Sequence, residues 1–218
     1  IKTMKCFMSR CIATMMLSWM IIALTSCGSM QHIESKGDSS ALESVPWPQP
    51  AFSPTEKKQT SPGLSVVYFY KKIRHINEMP DSERMAEKGV PGEPIPMIDH
   101  QFGFGEVFGS GESKGVCVQM QGYLNFKNTG VYRIKANSND GIQVFLDNQR
   151  ILNDPDVHAA RFTSTAEIEI MQPGHYAVLV RYFQRKGTAT LEMYWKTPGS
   201  ETFDIIPAMA YSHDSDPS

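Results

Sequence analysis

GVYRIKANSNDGIQVFLDNQRILND, residues 130–154, sets the fold class. Apolar residues occupy alternate positions in it: Tyr132, Ile134 and Ala136, then Ile142, Val144 and Leu146. A period of two puts one set of side chains on each face of an extended strand. Asp147-Asn148, which tolerates positive φ, is a good two-residue hairpin turn. Upstream, Val116, Val118, Met120, Leu124 and Phe126 repeat the alternation, with Gln119, Gln121 and Asn125 on the opposite face. Residues 64–70 (LSVVYFY) read as a buried strand, and residues 176–183 are apolar on both faces, as a central strand requires. Ile168 and Ile170 precede a Gln172-Pro173-Gly174 turn, and Leu191, Met193 and Trp195 close the set. Asp81 or Ser82 caps a short helix through Lys88, closed by Gly89. Residues 90–115, rich in Gly and Pro, read as a long irregular excursion. There is no βαβ rhythm and no internal repeat. The expected fold is all-β, an antiparallel β-sandwich or barrel.

The flanks carry a different message. A net charge of −2 argues against a nucleic-acid partner, which calls for a basic stripe. Three of the four cysteines, Cys6, Cys11 and Cys27, fall in the first 27 residues, so the single Cys117 beyond them builds neither a disulfide framework nor a cysteine-rich zinc site. Read from Met4, the chain begins with Lys5 and Arg10 and continues into an apolar run over residues 11–24. As a helix that run reaches about 21 Å, short of the ~30 Å hydrocarbon core, which is the signature of a secretory signal. Its ending, Leu24-Thr25-Ser26-Cys27, resembles the bacterial lipobox, whose cysteine is diacylated and becomes the mature N-terminus. The resemblance implies lipidation at Cys27, palmitate among the acyl chains, and a membrane-anchored envelope protein. With no aspartate after Cys27, it further implies export to the outer membrane of a double-membraned bacterium. Residues 28–62 are rich in Ser and Pro, including the Pro-Trp-Pro-Gln-Pro run from Pro46 to Pro50, and read as an extended, disordered spacer. The expected organisation is a signal peptide over 1–26, a lipidated cysteine and linker over 27–61, a β-sandwich over 62–213 and a tail over 214–218.

Several motifs in one register resemble a known family. Gly130-Val131-Tyr132-Arg133-Ile134, Ser138-Asn139-Asp140-Gly141 leading to Asp147, and Ile151-Leu152-Asn153-Asp154 are similar to the core of the protective-antigen type PA14 domain. Gly174-His175-Tyr176 running on to Phe183, and Leu191 to Trp195, are similar to its later strands; Leu64 to Tyr70 fits its opening element. The similarity spans about residues 62–197 and implies a β-sandwich. The family is carried by glycosidases, glycosyltransferases, toxins and adhesins, and often binds carbohydrate. In its lectin members two neighbouring aspartates, joined by a cis peptide, hold a calcium ion that grips sugar hydroxyls. Calcium takes six to eight hard oxygens, and vicinal hydroxyls supply two.

Here the corresponding pair is Asn139-Asp140, one formal charge short, so the resemblance implies weaker calcium binding through Asp140 and Asn139. The residues alone read equally as a loop leading into a strand. A second cluster, Asp154, Asp156 and His158, follows a strand and is placed near the first loop, although Asp154-Pro155 is also a common turn opener. It is no EF-hand loop, since Ala159 and Thr165 stand where Gly and Glu are required.

The Gly-rich stretch over residues 103–111 lacks phosphate-loop spacing and reads as a surface loop, with Phe102, Phe104 and Phe108 as a candidate apolar patch. Asp99, His100, Glu93 and Glu106 lack a nucleophile beside them, so no enzyme is expected. Cys117 reads as a partly buried free thiol. Two functional classes remain: a glycan-binding module on a lipid-anchored stalk, possible calcium assistance included, or an envelope lipoprotein whose surface holds a protein partner. Exposed aromatics beside the Asn139 and Asp154 loops favour the first; an aromatic patch far from them favours the second.

Overall fold

Alternating apolar residues form strands because each pleated face then meets either core or solvent, and the strands fall where that alternation lies. The computed structural model describes residues 52–56 and 59–215, all within one compact unit. The strands are β1 (Thr60–Pro62), β2 (Leu64–Tyr70), β3 (Val90–Ile95), β4 (Asp99–Gly103), β5 (Val116–Phe126), β6 (Gly130–Asn139) and β7 (Ile142–Leu146). They continue with β8 (Gln149–Asp154), β9 (Arg161–Phe162), β10 (Ala166–Ile170), β11 (Gly174–Gln184), β12 (Ala189–Lys196), β13 (Asp204–Ile205) and β14 (Tyr211–Asp214). Among the described residues one α-helix, α1 (Ser82–Lys88), is capped by the Asp81 carboxylate on the Arg84 amide and ends at Gly89, as its sequence signals predict.

All strand pairings are antiparallel. The first sheet runs β1-β14-β5-β11-β7-β8, with β2 joined to β5 and β3 to β2. The second runs β10-β6-β12-β13, with β4 on β12 and β9 on β6. Their facing sides form the main core, in which Val118, Met120, Tyr132, Ile134, Val144, Val180 and Leu191 are buried. Each such side chain contributes about 1.5–3 kcal/mol when removed from water. The β7–β8 hairpin turns at Asp147 and Asn148, both at positive φ (47° and 63°), the geometry that a two-residue loop needs to match strand twist.

Strand β11 lies between β5 and β7, the central position its two apolar faces demand. Its outward Phe183 is covered by a second, smaller cluster in which Ile73, Ile76, Met79 and Met85 pack over Cys117. Cys117 is therefore wholly buried rather than partly so, and burial pushes its thiol up to about 12.

Three expectations are corrected. Residues 90–115 are not one irregular excursion: they contain β3 and β4, because pairing to β2 and β12 supplies hydrogen bonds that Gly- and Pro-rich sequence does not advertise. The linker does not run to residue 61: Phe52 is buried in the core, the Thr55 amide donates to the His175 carbonyl, and β1 pairs with β14. The tail does not begin at 214, since Asp214 lies within β14 and the Ser215 amide donates to the Gln59 carbonyl. The signal segment and Cys27 lie outside the described residues. Among the described residues no helix is long and apolar enough to cross a membrane.

Candidate functional site

The site grows from the passage between β6 and β7. Strand β6 ends at Asn139, the Asn139–Asp140 peptide is cis, and Gly141 leads into β7. Gly141 is required by close approach: a Cβ there would meet the Pro155 carbonyl at 2.8 Å and the Phe183 ring at 2.6 Å. The Asp140 amide donates to the Phe183 carbonyl, and the Phe183 amide to the Gly141 carbonyl, tying the turn to β11.

Asp140 is buried and both its oxygens are engaged. The His158 amide donates to Oδ1 at 3.2 Å and the Arg185 amide to Oδ2 at 2.8 Å. Burial raises its carboxyl above the usual aspartate range, opposed by these two amides and by the charges of His158 and Arg185. The Asn139 carbonyl accepts from the buried Tyr182 hydroxyl, and Asn139 Nδ2 donates to Thr188 Oγ1 at 3.3 Å.

Asp154, at the end of β8 opposite Ile142, has a fully buried side chain. Arg161 grips it with two bonds, Nε to Oδ2 at 2.8 Å and Nη2 to Oδ1 at 2.5 Å. His158 Nε2 stands 3.2 Å from Asp154 Oδ2 without hydrogen-bond alignment, while Nδ1 faces the Ala159 carbonyl at 2.8 Å. His158 thus joins the two acids, by its backbone to Asp140 and by its ring to Asp154.

Of the residues picked out by sequence, the fold brings together Asn139, Asp140, Asp154 and His158. Asp156 is exposed and its backbone forms an isolated bridge to His75, but it adds no bond to the two acids; its charge acts on Arg161, which Asp154 also holds protonated. Arg161 went unnoticed in the sequence, because nothing local marks a two-residue strand whose guanidinium reaches back seven positions to Asp154. Calcium fits this donor set poorly. Asp140 accepts two amides, Asp154 is closed by a bidentate guanidinium, and Asn139 adds a neutral amide whose nitrogen is itself bonded. Among the described residues no three His, Cys, Asp or Glu side chains gather as a metal-holding group. An ion needing six to eight oxygens would have to displace these donors.

Beside this cluster, β9 pairs with β6 and sets Phe162 opposite Asn137 on the outer face of the second sheet. Phe162 is 46% exposed and meets the Tyr194 ring edge-on, with centroids 5.6 Å apart. Lys135 Nζ lies 4.0 Å from the Phe162 centroid and 4.3 Å from that of Phe203. Next to them the buried Glu192 carboxylate accepts from Gln101 Nε2 at 2.7 Å and Asn137 Nδ2 at 2.8 Å. Asn139, Asn137 and Lys135 are alternate residues of β6, so this face runs from the acid turn for about 13 Å. Rings, amides and a carboxylate thus adjoin the two-acid cluster.

The other candidates dissolve. Phe108 is buried and Phe102 packs on the core with His100 stacked on it, leaving Phe104 as the exposed ring of that trio. Burial lowers the His100 imidazole against the pull of Asp99, and Glu106 is bonded by the Gly111 amide at 2.6 Å.

Two antiparallel sheets face to face, with a cis-peptide acid turn at one end, define a β-sandwich. The chain belongs to the PA14 domain family, whose sequence profile matches residues 95–208. No curated protein matches it by sequence. Among solved structures it is similar to an anti-sigma factor domain-containing protein (TM-score 0.60, 16% identity, 72% of this chain and 50% of that one). The chain thus spans about half the length of that relative. It is also similar to a PA14 sugar-binding domain from an RTX adhesin (TM-score 0.52, 16% identity, 70% and 98% covered). A third is the Epithelial Adhesin 9 A domain from Candida glabrata in complex with Galb1-4GlcNAc (TM-score 0.55, 11% identity, 78% and 97% covered). At these identities the likeness is one of fold.

Proposed function

We propose that this chain is a lipid-anchored envelope protein whose β-sandwich binds carbohydrate without catalysing a reaction on it. One observation carries the reading: the exposed Phe162 ring sits immediately beyond Arg161, the residue that closes Asp154, on the face shared with Asn139 and Asn137. An exposed ring offers an apolar face to a sugar's C–H surface, while neighbouring amides hydrogen-bond its hydroxyls. Aromatics adjoining the acid turn are the arrangement that favours sugar over a protein partner. The sugar-binding adhesin domains that share the fold support the same reading. Anchoring rests on Leu24-Thr25-Ser26-Cys27, and the spacer after it would hold the sandwich away from an outer membrane.

The test is a glycan array probed with the full chain and with Phe162→Ala and Asn137→Ala. Binding of a defined glycan that both variants weaken supports the proposal; the absence of binding to any envelope or host glycan defeats it. Fatty-acid labelling that disappears in Cys27→Ser tests the anchor separately.

A further inference from the structure

A buried pair of acids needs a cation. In this chain the cation is covalently supplied. All four oxygens of Asp140 and Asp154 are already engaged: two accept the amides of His158 and Arg185, and two accept the Arg161 guanidinium. A planar guanidinium on a carboxylate is a bidentate, charge-assisted contact, and its charge persists at any physiological pH. The side chain of Arg161 remains 39% exposed although Asp154 beneath it is wholly buried. Its Nη1 is not among the atoms engaged by Asp154. One edge of the guanidinium is thus fixed by the protein; Arg161 stands opposite the buried Ser138 and Phe162 opposite Asn137, so the guanidinium and the ring leave β9 on opposite faces.

We propose that Arg161 is the resident cation of this site and that the site works without a divalent ion. Arg161 neutralises Asp154, which removes the need for calcium that the acid turn suggests. A metal would have to expel the guanidinium and leave it unpaired beside a doubly charged ion, an exchange opposed by the two bonds it makes. That a saccharide binds without a metal rests on the function proposed above; that Arg161 excludes calcium from Asp154 does not.

The experiment is calorimetric titration of calcium into the full chain, with thermal unfolding followed in calcium and in chelator, for the wild type and for Arg161→Ala. The expected wild-type result is no saturable heat at millimolar calcium and the same Tm in both buffers, since a ligand that binds the folded state must raise Tm. Arg161→Ala is expected to melt lower and to recover part of the loss in calcium, because Asp154 is then free to take an ion. Saturable calcium binding by the wild type overturns the proposal. A variant whose Tm ignores calcium overturns the claim that Arg161 stands where an ion would. Should Arg161→Ala not fold, the wild-type titration decides alone. Any glycan found on the array is then rebound in chelator. Retained binding agrees with the proposal and binding abolished by chelator refutes it, whereas no glycan in either buffer defeats only the saccharide reading and leaves the calcium titration to decide.

Discussion

The turn between β6 and β7 and the outer face of the second sheet lie side by side on β6, yet they differ in the apolar surface they leave open. At the turn, Asp140 and Asp154 are buried and every carboxylate oxygen has a donor from the chain. On the outer face, Phe162 is half exposed and Tyr194 and Phe203 are partly so. Saturated polar groups hold structure; unsatisfied surface is what a ligand can cover. The residues that carry the family motif thus fix the loop, and the surface suited to recognition is the ring-bearing face beside it.

The comparison breaks most sharply at Arg161. Removing it leaves Asp154 charged, buried and without its guanidinium, so Arg161→Ala should cost about 3–5 kcal/mol, read as a lowered urea midpoint with unchanged slope. A loss below about 1 kcal/mol would mean that the pair is solvated and that the turn is no more saturated than the face. Next comes Asp140→Ala, which strips the His158 and Arg185 amides of their acceptor. A cost of about 2–3 kcal/mol is expected, with glycan contacts on the outer face left intact if the variant is assayed folded.

On the other side of the comparison, Phe162→Ala should leave stability within about 0.5–1 kcal/mol while weakening glycan binding roughly five-fold or more, the effect of losing an interfacial anchor. Equal losses in stability and binding would erase the distinction between the two regions. The smallest effect is electrostatic. Because burial raises the folded carboxyl of Asp140 above its ordinary 3.8, the folded state holds that proton more tightly than the unfolded chain. Its stabilisation is full below 3.8 and is lost as pH rises through the raised value. The wild type should therefore lose stability relative to Asp140→Asn over that range in urea titrations at stepped pH. A constant difference between the two would show that the turn is open to water.

Much of this was legible beforehand. The alternation in residues 116–126 and 130–146 gave β5, β6 and β7, and Asp147-Asn148 gave the hairpin, because period and turn chemistry are local. The Asn139-Asp140-Gly141 turn was readable from resemblance, and Asp154 and His158 were placed near it, although their contact with each other was not foreseen. What escaped was non-local. Strands β3 and β4 exist by pairing with distant partners, Phe52 is core because the fold has a place for it, and Arg161 matters through an acid across a loop.

By itself, then, the amino-acid sequence determined that this is an antiparallel β-sandwich of one family, with an acid-bearing turn, since patterns of two and turn residues act within a few positions. Only the tertiary structure decided that every oxygen of the two acids is already bonded from within and that the open surface lies beside them. Burial, and the pairing of charges far apart along the chain, are properties of packing, and no local pattern encodes them.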